Sequence, residues 1–106
     1  MSVSAGSDLI FSVTVTDSAG ADVNFSSATE AIFKFSSKNA FITKTKTDNE
    51  VNEGTNANNF DVELQDTETK KLGKGKVTVE ISLTLANADF SDGEATSVIY
   101  SEFTLI

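Results

Sequence analysis

In the stretch KVTVEISLTL, Val77, Val79, Ile81, Leu83 and Leu85 fall on every second residue, with Thr78, Glu80, Ser82 and Thr84 between them. Successive side chains of a β-strand point to opposite faces, so this spacing describes a strand with one apolar and one wet face. A helix would need its apolar positions three and four residues apart. Such a strand cannot stand alone. Its apolar face has to be covered by a second layer, which restricts the chain to sheets packed against a partner layer.

The same period recurs along the chain. Leu9, Phe11, Val13 and Val15 alternate with Ser12, Thr14 and Thr16; Ala31, Phe33 and Phe35 alternate with Ile32, Lys34 and Ser36. Phe60, Val62 and Leu64 alternate with Asp61 and Glu63, and near the end Ile99, Phe103 and Leu105 oppose Val98 and Tyr100. Between Phe41 and Lys46 the set Phe41, Thr43, Thr45 opposes Ile42, Lys44, Lys46, a lysine-bearing face that suits an exposed sheet edge. Asp17 to Asp22, with Gly20, and Ser37-Lys38-Asn39 supply turns. Asp48 to Asn59 reads as the longest loop, and Asn87 to Glu94 as a second connection. Six or seven strands in one domain spanning residues 1–106 predict an all-β, two-layer antiparallel sandwich, with the strand from Val77 to Leu85 near its centre.

One polar insert, QDTETKKLGKG, separates two of the best strands. A phosphate-binding loop needs Gly-x-x-x-x-Gly-Lys-Ser/Thr between a strand and a helix. Here Lys70 stands at the first glycine position, Val77 at the hydroxyl position, and a strand follows. The residues instead predict a helical turn capped by Asp66 or Thr67, with Lys70 and Lys71 at its end, Gly73 terminating it and Leu72 plugging one end of the sandwich.

Function is bounded first by what the chain lacks. With no histidine and no cysteine, the Ser-His-Asp and Cys-His nucleophile systems are excluded, as are disulfides and the usual zinc and haem ligand sets. A hydrolase built on two facing carboxylates stays open as a minor alternative. Eight lysines and no arginine against sixteen acidic residues leave a net charge of −8, which opposes binding to a nucleic-acid backbone. No apolar run approaches the ~20 residues of a membrane span, and the N-terminal residues carry no signal-peptide pattern. Two acidic loops offer weak calcium candidates, Asp89, Asp92 and Glu94 around Gly93, and Asp48, Glu50 and Glu53, neither with the spacing of a known calcium loop. Phe25, Phe41 and Phe90 fall near strand ends or in loops. With Lys44 and Lys46 they are the candidates for a partner surface.

Two segments together resemble a known family. Phe60, Leu64, Asp66, Thr67, Leu72, Gly75, Val77 and Glu80 in the second half, and Asp17, Gly20, Val23 and the turn from Phe25 to Thr29 in the first, resemble the small immunoglobulin-like sandwich of bacteriophage structural proteins. The similarity is to the N-terminal domain of baseplate upper proteins, with Val77 where an aromatic residue is usual. That resemblance implies an immunoglobulin-like fold and a non-enzymatic virion subunit of tail, baseplate, neck or head decoration. It further implies assembly in the host cytoplasm with other virion proteins or in repeated homo-oligomers, without cofactor, nucleic acid or membrane. The alternative from the residues is a carbohydrate-binding or adhesion module with calcium in the acidic loops.

Overall fold

The computed structural model describes residues 2–17 and 19–106; Met1, and Ser18 within the expected turn, lie outside them. In chain order the elements are β1 (Ser2–Val3), β2 (Leu9–Thr14), a 3-10 turn (Phe25–Ser27), β3 (Ala28–Ser36), β4 (Phe41–Thr45), β5 (Val51–Glu53), β6 (Asn59–Leu64), α1 (Asp66–Leu72), β7 (Gly75–Ala86) and β8 (Glu94–Leu105). The larger sheet has the order β1-β8-β7-β3-β4 and the smaller β2-β6-β5. All pairings are antiparallel except that of β1, whose two residues run parallel to Thr104 and Leu105 of β8.

This is the expected two-layer sandwich. From β2 onward the seven strands occupy, in chain order, the places B, C, C′, D, E, F and G of an immunoglobulin domain: D-E-B in one sheet and C′-C-F-G in the other. β7 lies inside the larger sheet, between β3 and β8. Its inward residues Val77, Val79, Ile81 and Leu83 are buried, as the alternation requires.

No cysteine is present to tie the two sheets together, and phenylalanines do that work. Phe11 of β2 meets Phe35 at 5.5 Å and Phe33 at 6.2 Å, both edge-on, and Phe103 of β8 at 5.7 Å. These separations lie in the range where the edge of one ring meets the face of another favourably. Leu72 at the end of α1 is fully buried and closes one end of the core.

The helix sits between β6 and β7, as expected, but its N-cap is Gln65 rather than Asp66 or Thr67. The cause is partly tertiary and partly a local capping box. Asp8, from the loop before β2, accepts the Asp66 N–H at 2.7 Å, and Glu68 Oε1 accepts the Gln65 N–H at 2.9 Å, so first-turn donors are satisfied from outside the expected cap. At the other end Ser37 Oγ and Asn39 Nδ2 donate to the Leu72 carbonyl at 2.8 and 3.1 Å, which fixes the β3–β4 turn to the helix terminus.

Two strands were not expected. β5 lies inside the segment read as the longest loop. It shows no period because it has three residues, of which only Val51 is buried, paired with Val62. β1 is too short to carry any pattern.

Thr69 anchors the chain's first turn. Its side chain is fully buried; Oγ1 donates to the Ser7 carbonyl at 2.8 Å and accepts the Gly6 N–H at 3.0 Å. Replacing it with the isosteric valine removes both partners at once. Thr69→Val is expected to lower the free energy of unfolding by about 1–3 kcal/mol, read from the urea midpoint, because two part-buried backbone groups lose their bonds.

Candidate functional site

The expected contact residues separate into two groups. Phe25, Lys44 and Lys46 are engaged inside the molecule. Phe25 packs on Phe60 with ring centroids 5.3 Å apart, and the Lys46 ammonium lies 4.2 Å from its ring centre. That ammonium donates to the carbonyls of Phe25 and Ala28 at 2.7 and 2.6 Å, closing the turn before β3. Lys44 points into the end of the sandwich and meets Glu68 Oε2 at 2.7 Å, both side chains mostly buried.

This corrects the expected orientation of β4. The strand is an edge of the larger sheet, yet Phe41 and Thr43 lie on its exposed face, and the lysines are turned inward. The aliphatic stem of a lysine packs in a core margin while its charge finds a partner, so a lysine does not by itself mark the wet face. Phe41 and Phe90 do project outward, 68% and 55% exposed.

The Lys44–Glu68 pair makes stability depend on pH. Burial opposes ionisation of Glu68, but the hydrogen bonds from Lys44 and the Gln65 N–H and the nearby charges of Lys44 and Lys71 outweigh it. They hold the carboxyl below its ordinary value. A lowered folded value means that Glu68 contributes stability above the ordinary glutamate pKa of about 4.3, and that this is lost as the pH falls through the lower folded one. Glu30 shifts the same way: burial is outweighed by the Thr47 hydroxyl and by the N–H groups of Ala31, Thr47 and Lys46. In Lys44→Met the fall in urea midpoint between pH 5 and pH 3 is expected to be shallower than in the wild type. At pH 7 the variant is expected to be about 1 kcal/mol less stable.

Among the described residues no three carboxylates converge as metal ligands. Asp92 Oδ1 accepts the Glu94 N–H at 3.0 Å, Glu94 Oε2 accepts from the Thr29 hydroxyl at 3.2 Å, and Glu50 Oε1 accepts the Thr45 N–H at 3.1 Å. The carboxylates of Asp92 and Glu50 thus stabilise turns, and that of Glu94 ties the start of β8 to β3. No described helix is long and apolar enough to cross a membrane.

What the alternation did not single out is β8. Beyond its short pairing with β1, the strand from Glu94 to Phe103 has a ladder neighbour among the described residues on the β7 side only. About ten residues at ~3.3 Å each leave roughly 30 Å of unpaired strand edge. Val98 and Tyr100 are 50% and 67% exposed there, and Ile99, though inward-facing, is 36% exposed. Sheet edges are ordinarily guarded by lysine, proline or brevity. β8 has none of these; its only charges are Glu94 and Glu102 near its two ends.

Ile99 is uncovered because of the topology. β2 is bonded only to β6, so no strand of the smaller sheet lies beside it to roof the inner face of β8. The result is a groove of about 320 Å³ lined by Val15, Val23, Leu83, Leu85 and Ile99, with Asp17 at its margin. No protein-family model, curated protein or solved structure matches the chain.

Proposed function

We propose that this chain is a non-enzymatic structural domain of a phage or prophage virion, which works by docking onto neighbouring protein subunits. The observation that carries the docking reading is the long edge of β8 without lysine or proline, with the exposed Val98 and Tyr100 beside it on the outer face. Main-chain N–H and C=O groups along such an edge accept a further strand, while flanking side chains select which one. Specific interfaces bury ~800 Å² on each partner, and the exposed surface totals 6186 Å², so the domain can accommodate one. The virion part of the reading is supported by the resemblance carried by Phe60, Leu64, Asp66, Thr67, Leu72, Gly75 and Glu80.

Quantitative peptide mass spectrometry of purified particles from the source organism, set against the soluble lysate, tests it. The chain is expected in the particles at a constant ratio to the major capsid protein. Enrichment in the lysate with none in the particles would remove the virion reading.

A further inference from the structure

Charge is not spread evenly over the sandwich. β7 runs the length of the larger sheet, from Gly75 beside α1 to Ala86 at the opposite end, and the molecule extends 43 Å along its longest axis. Lys38, Lys70, Lys71, Lys74 and Lys76 are all exposed at the α1 end, beside the exposed Asp8 and Asp66 and with Lys76 paired to Glu102 at 2.9 Å. The far end holds Asp17, Asp22, Asp89, Asp92 and Glu94, all exposed. The described lysine at that end, Lys46, has its ammonium bonded to the carbonyls of Phe25 and Ala28.

Each end also carries an apolar feature. The groove lined by Val15, Val23, Leu83, Leu85 and Ile99 opens at the acidic end. At the lysine-rich end Phe41 projects from the start of β4, with the Lys34 ammonium 5.4 Å from its ring centre.

We infer that the occupant of the acidic groove is a second copy of this chain, docked by its lysine-rich end with Phe41 entering the groove, so that copies stack head to tail. The inference rests on the docking function proposed above and adds to the β8 edge a second contact, made by the groove, with its own partner and geometry. Because the two contacting surfaces differ, the contact is heterologous and leaves a free groove and a free lysine-rich end at either extremity, so it propagates into a ring or filament. The net charge of −8 does not prevent this. Successive acidic ends are held roughly 40 Å apart, about four Debye lengths at 0.1 M salt, whereas the opposite charges meet at contact.

Sedimentation equilibrium of the purified chain from 20 µM to 1 mM, in about 50 mM and about 500 mM NaCl, tests the inference. The expected result is a mass that rises with concentration at the lower salt, with the apparent Kd weakened at least about tenfold at the higher. Lys38→Glu/Lys74→Glu and Asp22→Lys/Glu94→Lys are each expected to be monomeric alone, and an equimolar mixture is expected to associate again. Circular dichroism confirms that both fold, since all four side chains are exposed. A wild-type chain that stays monomeric at 1 mM and 50 mM NaCl overturns the stacking; the docking function then stands or falls separately by recovery of the chain in particles. Association that ignores both charge reversals but disappears in Tyr100→Lys also overturns it, and assigns self-contact to the β8 edge instead.

Discussion

Phe35→Ala is expected to lower the free energy of unfolding by about 3–5 kcal/mol, the usual cost of deleting a phenyl group from a core that collapses only in part. Phe35 is fully buried on β3, and its ring meets Phe11 of the opposite sheet at 5.5 Å, Phe103 of β8 at 6.3 Å and Phe33 at 6.4 Å. It therefore touches both layers and two strands of its own sheet. Its loss opens a cavity where four rings now fill space, and Phe11 keeps only Phe33 and Phe103 as ring neighbours. A domain of this length has ~5–15 kcal/mol in all, so one substitution removes about a fifth or more of it. The midpoint of thermal unfolding should fall by roughly 12–40 °C, taking about 4–8 °C per kcal/mol. Phe35→Leu, which keeps most of the volume, is expected to cost no more than about 1–2 kcal/mol. Equal losses for the two variants would show that ring contacts, not filled volume, hold the sheets together.

The second large effect is expected at Gly73, where the chain leaves α1. Its φ of 74° and ψ of 178° lie in a region that side-chain-bearing residues almost never occupy, at a cost of order 1–3 kcal/mol. A β-carbon there would also come within 2.5 Å of Asn39 Nδ2, the group that donates to the Leu72 carbonyl. Gly73→Ala is thus strained in its own backbone and displaces a helix-terminating hydrogen bond worth about 1 kcal/mol. The expected loss is about 2–4 kcal/mol in a urea titration. Gly93, also at positive φ but with open space around it, is the control: Gly93→Ala is expected to cost only about 1 kcal/mol. If both substitutions cost the same, the Asn39 contact contributes nothing.

The strands with five or more residues were largely legible in the sequence, because each alternated at period two, most with two to five apolar side chains on one face, and showed no competing helical spacing. Phe33, Phe35, Phe60, Val77, Val79 and Ile81 are all at zero exposure, on the faces their alternation assigned. β1 and β5 were not legible, since two or three residues contain no period. The direction of Lys44 and Lys46 was misassigned for a different reason: a lysine's position in an alternating pattern does not say whether its charge finds a partner across the fold. Glu68 lies 24 residues from Lys44, and only the placement of α1 over the end of the sheet brings the two together at 2.7 Å.

The candidate surfaces show the same division. Phe41 and Phe90 were identified from their places near strand ends, and both are exposed. β8 was recognised as a strand, but neither Val98 nor Tyr100 was distinguished from a residue facing another layer, because alternation reports two faces and not which neighbours each face has. By itself the sequence determined an all-β sandwich without cysteine or histidine chemistry, since side-chain alternation and residue type are local properties that survive any arrangement of the strands. Which strand lies at an edge, which inward residue is left uncovered, and which charges gather at which end were decided only by the tertiary structure. Each depends on strand order and on contacts between residues distant in the chain, and no local pattern encodes those.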